Sequence, residues 1–220
     1  MSWQPLWLSL QVAIAATLIA GVAGIAAAAV LARPRFFGRD LLDALCSAPM
    51  VMPPTVLGYY VLVALGRHGA LGRLFESLTG SQIVFTRTGA IVAAAIGSFP
   101  LVAKSARAAL EGVDERLVGV ARTLGAGPLR VLFAVRLPLA TRGLVAGIAL
   151  GFARALGDFG LTLMVAGDIP GETQTASLAI YDAIQANREG DAVGMILVLT
   201  VTAVGVLYAA RKLTRLPRVL

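Results

Sequence analysis

Apolar residues run almost unbroken through five stretches of the chain, and the charged residues gather between them. The stretches cover residues 6–32, 41–65, 88–110, 143–167 and 192–210. A transmembrane helix needs about 20 mostly apolar residues. The pattern therefore predicts an all-α polytopic membrane protein, five transmembrane helices in one domain spanning residues 1–220. Two of these helices carry prolines at positions that disturb the carbonyl ladder. "CSAPMVMPPTVLGYY" holds Pro49, Pro53 and Pro54, and "GSFPLVAK" holds Pro100. Each proline lacks a backbone donor and breaks or kinks a helix. The freed groups need partners inside the protein or in a wet cavity. The breaks either shape packing or line a pathway, and Pro53, Pro54, Thr55, Ser98 and Pro100 are the pathway candidates.

Between the third and fourth apolar stretches the pattern changes. In "VDERLVGVARTL" (113–124), Val113, Leu117, Val120 or Ala121, and Leu124 fall at helical spacing on one face. Asp114 is placed to cap the start. Gly125 and Gly127 end this helix, and Pro128 suits the first turn of a second. That second helix covers Leu129–Leu137, and Pro138 stops it. An amphipathic pair of this kind needs a surface for its apolar face. The membrane interface, the protein's own helices and a groove on a soluble partner would each serve.

Composition supports lipid as the solvent. Of 220 residues, 58% are hydrophobic and 14% charged, and the mean hydropathy is +0.82. The net charge of +7 would suit nucleic acid, but its distribution assigns it to topology. Fourteen basic residues follow the first and fifth apolar stretches or lie between or at the ends of the third and fourth, four lie on the other side, and Arg154 falls within the fourth. The positive-inside rule then puts the N-terminus outside and the C-terminus inside. No Lys or Arg precedes the first apolar run, which is also too long for a signal peptide core, so it is expected to be retained. A single cysteine, Cys46, and a single histidine, His68, leave no metal cluster or disulfide framework, and little equipment for a membrane enzyme. Cys46 is expected to pack and His68 to sit in a solvated loop.

Arg154 and Asp158 stand four apart in "FARALGDFG", on one face of the predicted fourth helix. Intramembrane charges pair or face a cavity, so the two form either a structural pair or part of a gate. The segment 167–191 is acidic, with Asp168, Glu172, Asp182, Glu189 and Asp191 against one arginine. Such a rim repels a free anion. It suits contact with another protein, a loop entering a pore mouth, or an ordinary solvated loop.

The broken amphipathic insert resembles the coupling segment of type I ABC importer permeases. That pattern reads EAA, three residues, Gly, nine residues, then I-x-L-P. Gly125 takes the glycine place, Ala121 the last alanine place, and Val135-Arg136-Leu137-Pro138 the final four, while Gly119 stands where the glutamate is expected. Further stretches, "APMVMPPTVLGYYVLVALGRHGALG" (48–72), "SFPLVAKSARAALEGVD" (98–114), "GFARALGDFGLTLMVAGDIPGETQT" (151–175) and "LAIYDAIQ" (178–185), are similar to the permease subunits of molybdate importers. Sulfate and tungstate permeases share parts of them. The resemblance implies a homodimer in the bacterial cytoplasmic (inner) membrane, with the coupling segment 113–138 between helices 3 and 4. Ala121, Leu124, Gly125, Ala126, Leu137 and Pro138 would contact two cytoplasmic ABC ATPase subunits. An external molybdate-binding protein would deliver the oxyanion, with Asp168, Glu172 and Asp182 as contact candidates. The chain has no GxxxxGK[ST] with which to cradle ATP phosphates, so ATP and Mg belong to the partner ATPase and no cofactor to this chain. A self-contained channel or carrier would want more intramembrane acids or histidines than Asp158 alone.

Overall fold

Apolar length alone accounts for the long helices of the computed structural model, which describes residues 3–33 and 36–215. Arg35, Arg218 and the C-terminus lie outside the described residues. Among those described, α1 (Gln4–Leu31) and α5 (Arg87–Glu111) are long and apolar enough to cross a bilayer, as are a helix over residues 128–156 and α11 (Glu189–Arg215). The expected stretch 41–65 is instead two helices, α2 (Arg39–Val51) and α3 (Pro54–Leu65), bent by 113° at the break. Met52 and Pro53 both take extended ψ angles, 141° and 135°. A residue before proline is pushed out of the helical region, and two prolines in succession do this twice. A short helix, α4 (Ala70–Thr79), fills the loop that follows. His68 is exposed and Cys46 half-buried.

Pro100 behaves differently. The expected break does not occur: α5 runs unbroken, with Pro100 fully buried inside it. The Ser98 hydroxyl bonds back to the Ala95 carbonyl at 3.2 Å, one residue before the Ile96 carbonyl that loses its helical donor at Pro100. Pro138 does not end a helix either. α7 (Pro128–Val131) passes through a π-helical turn, Leu132–Arg136, into α8 (Leu137–Leu156), one rod about 43 Å long. Within it, the Leu137 amide bonds five residues back to Leu132. The wider turn falls on the residues whose carbonyls a proline ring at 138 would otherwise meet.

α5 lies between α1 and α8, and the contact is made of small residues. Ala13 and Ala16 of α1, Ala90 and Ala94 of α5, and Ala155 of α8 share one buried cluster. Small side chains let membrane helices approach closely, where dispersion rather than hydrophobicity holds them. The expected fourth span, 143–167, also divides. α8 stops at Leu156, and α9 (Gly160–Ala166) follows a three-residue gap. α10 (Ala176–Gln185) then packs with the start of α11 around Ala183, Ala192 and Met195.

Candidate functional site

The two broken helices meet. α3 lies against α9 so closely that a Cβ at Gly160 would stand 2.9 Å from the Pro54 Cβ. Glycine is thus the residue that fits beneath the proline. Two residues earlier, in the gap between α8 and α9, Asp158 has its side chain 2% exposed. Its Oδ1 accepts from Arg154 Nη1 at 2.8 Å. Its Oδ2 accepts from the Thr162 amide at 3.0 Å and from the Thr162 hydroxyl at 2.7 Å. Asp158 therefore neutralises an arginine in the last turn of α8 and satisfies an orphan donor at the start of α9. The pair faces Gly97 of α5, where a Cβ would sit 3.4 Å from Asp158 Oδ1 and 3.5 Å from Arg154 Nη2. Arg154 keeps 35% of its side chain exposed.

The structure thus joins Arg154 to Asp158 and sets Pro54 against Gly160, two residues further along the chain. Pro53 and Thr55 are exposed. Ser98 and Pro100 are fully buried and line no opening in this conformation. Thr162 was not singled out by its sequence. Its signal was available: an aspartate following Gly157 and preceding an apolar helical run is a helix start, not a helix interior.

The insert forms the first expected helix, α6 (Glu115–Thr123), and Asp114 caps it by accepting from the Arg116 amide at 2.8 Å. Its end is a Schellman turn: the Ala126 amide bonds Ala121 O at 3.0 Å and the Gly125 amide bonds Arg122 O at 3.0 Å. Gly125 takes φ +82° with open space around its Cβ position. Backbone conformation, not crowding, requires glycine there. The hairpin is locked by Arg136, whose Nη2 donates to Glu115 Oε1 at 2.6 Å and whose Nη1 donates to Ala32 O at 3.3 Å.

The apolar face of α6 proves to be two faces. Val118 is fully buried with Val113, Val131 and Leu110, and Ala121, Ala126 and Leu137 pack against that cluster. Leu117, Val120 and Leu124 point away, 49%, 58% and 83% exposed. Pro138 is also exposed, and so is Gly119, where a Cβ would meet nothing within 4 Å. At the near end, α2 is moored to α5 by Arg107–Asp43 at 2.9 Å and Arg39–Glu111 at 3.1 Å, and Arg107–Glu111 at 2.8 Å links the two anchors within α5. Arg107 is thus held between two carboxylates, Asp43 and Glu111.

The acidic segment is tied down. Arg87 donates to the carbonyls of Gly171 at 3.1 Å and Glu172 at 3.2 Å, and Ser9 Oγ accepts from the Ala176 amide at 2.7 Å. Of the three contact candidates only Glu172 is exposed. Asp182 accepts from Gln174 at 2.9 Å. Asp168 is partly buried with an unpartnered Oδ1, and burial, then the nearby Asp182 charge, raises its pKa above the ordinary carboxylate value. No group of three His, Cys, Asp or Glu side chains able to hold a metal occurs among the described residues.

Comparison with known proteins gives these elements a setting. Residues 20–213 match the model of the binding-protein-dependent transport system inner membrane components. The chain is 46% identical to the molybdenum transport system permease protein ModB of Escherichia coli (strain K12), over 83% of this chain and 80% of that one. It is 43% identical to ModB of Haemophilus influenzae, over 81% and 78%. It is 36% identical to a probable sulfate transport system permease protein of Chlorokybus atmophyticus, over 80% of this chain and 62% of the other. Among solved structures, an inward-facing MetNI methionine ABC transporter chain superposes with a TM-score of 0.75 at 18% identity, covering 98% of each chain. That likeness shows the fold.

Proposed function

We infer, because the chain belongs to the family of binding-protein-dependent transport system inner membrane components, that it is the membrane-spanning permease subunit of an ATP-driven importer of molybdate. The observation that carries the substrate is the identity to molybdenum permeases across four-fifths of the chain, above that to the sulfate relative. Uptake of radioactive molybdate by cells lacking this chain, with and without its gene restored, tests it. Restored sulfate uptake with no molybdate uptake would reassign the substrate.

The finer reading is a lever. Two copies of the chain form the pathway, and each docks one of two separate cytoplasmic ABC ATPase subunits, which bind ATP and Mg and hydrolyse the ATP. The docking face is Leu117, Val120 and Leu124, since these large apolar side chains stand in the open on a helix whose other face is already packed. A push there enters a stiff hairpin, because Arg136 joins α6 to the π turn and to the end of α1. The rod over residues 128–156 carries the displacement to its far end, where Arg154 holds Asp158. α9 and Pro54 then move with it. Discontinuous helices meeting in this way are a common plan for transport pathways. Arg154 draws the dianion only weakly because Asp158 already neutralises it, which suits passage rather than storage. An external molybdate-binding protein meets the acidic surface at Glu172. The distribution of basic residues supports an N-terminus outside and a C-terminus inside.

A further inference from the structure

A slot between α1 and the rod over residues 128–156 is left unfilled by the chain's own side chains. It consists of two adjoining hollows of about 550 and 590 Å³ that share Ala29, Arg33, Leu129 and Leu132. The larger is lined almost entirely by apolar groups and follows α1 from Thr17 to Val30, a length of about 20 Å. The smaller is lined by Arg33, Arg122 and Arg136. Arg136 is committed to Glu115 and to Ala32 O. Arg33 and Arg122 make no ion pair among the described residues and are exposed.

We propose that this slot binds an anionic glycerophospholipid, with its phosphate between Arg33 and Arg122 and an acyl chain along α1. The dimensions allow it: half the hydrocarbon core is about 15 Å deep, within the apolar run of the slot, and the arginines lie at the end of that run. Basic pockets between transmembrane helices are sites for anionic headgroups. A free oxyanion would leave the apolar length unexplained. A helix from another chain would bring apolar groups against two unneutralised arginines, which is costly. The lipid satisfies both ends, and its seat lies beside Leu129 and Leu132, where the hairpin joins the rod. Anionic lipid therefore braces that joint.

The test uses the full chain, purified in mild detergent with the subunits that accompany it, and native mass spectrometry. Phosphatidylglycerol and phosphatidylcholine are offered in equal amounts. About one phosphatidylglycerol per chain should survive, with phosphatidylcholine stripped. Arg33→Gln combined with Arg122→Gln should lower that retention by about 10–30-fold. Ala26→Phe fills the slot from an exposed position of α1 and should lower it as much with both arginines intact. Melting temperatures of the two variants equal to that of the wild type in lipid-stripped detergent exclude a folding defect. If either variant fails to fold, the wild-type chain should still melt at higher temperature in phosphatidylglycerol than in phosphatidylcholine vesicles. Equal retention of the two lipids, or undiminished retention in a folded variant, would overturn the proposal. So would displacement of the lipid by inorganic phosphate, or a disulfide between two copies carrying Phe133→Cys.

Discussion

The contact around Asp158 and the hairpin around Gly125 each rest on an arginine–carboxylate pair, yet they leave opposite surfaces. At Asp158 every side-chain oxygen has a donor from its own chain, and the carboxylate is 2% exposed. At the hairpin the pair Arg136–Glu115 is partly in solvent, and Leu117, Val120 and Leu124 face outward, about half or more of each exposed. The first region is complete within one chain, so damage to it is a folding defect before it is anything else. The second is complete only with a partner, so damage to it is a coupling defect in a folded protein.

Removing Asp158 is the strongest way to break this contrast. Asp158→Ala leaves Arg154 without its partner and α9 without its cap. Breaking a buried pair costs about 3 kcal/mol or more, lessened here by the exposed part of Arg154. The variant should be scarce in the membrane and melt early. Arg154→Leu with Asp158→Leu should restore most of the membrane level while molybdate uptake stays low. Uptake recovering in step with folding would make the pair structural only.

Gly125→Asp comes next. A side chain at φ +82° is strained by roughly 1–2 kcal/mol, and the charge falls beside Leu124. Membrane level should stay near normal, uptake should fall by about tenfold, and ATP hydrolysis should no longer respond to transport. Gly125→Asn, which tolerates this backbone region, should lose less. Loss of the protein itself would move the hairpin into the folding class.

Asp168 sharpens the contrast among carboxylates, because it is partly buried beside Asp182 and pairs with no cation among the described residues, whereas Asp158 holds Arg154. A folded pKa above the ordinary value means stability that is full below that value and declines as pH rises through the raised one. Asp168→Asn should remove this decline. Its melting temperature should modestly exceed the wild-type value at neutral pH, with the gap closing on acidification. The smallest effect belongs to Gly119→Glu, which enters open space on the exposed side of α6. Membrane level and uptake should be unchanged within error.

Much of this was legible in the chain. The apolar runs located the long helices, and Asp114, Gly125 and the Arg154–Asp158 spacing announced a cap, a turn and a pair. The prolines were less legible, because a proline's effect depends on its neighbours. Pro53–Pro54 turns the chain through 113°, whereas Pro100 sits inside a buried, unbroken helix and Pro138 is absorbed by a π turn. The site was half legible for a similar reason. α6 carries apolar residues on both sides, and periodicity has no means of saying that Val118 stays home while Leu124 goes out. Asp158 read as helix interior because the apolar run continued past it, so its cap on Thr162 went unseen.

The division of α6 into a packed and an offered face is the core of the lever, and photocrosslinking tests it directly. A photoreactive amino acid is placed at Leu124 or at Val118 in cells expressing the whole transporter, and the adducts are identified by mass spectrometry. The account predicts an adduct at Leu124 with a subunit carrying a GxxxxGK[ST] motif, and at Val118 only contacts within the permease. No adduct at Leu124, or an ATPase adduct at Val118 instead, would contradict it.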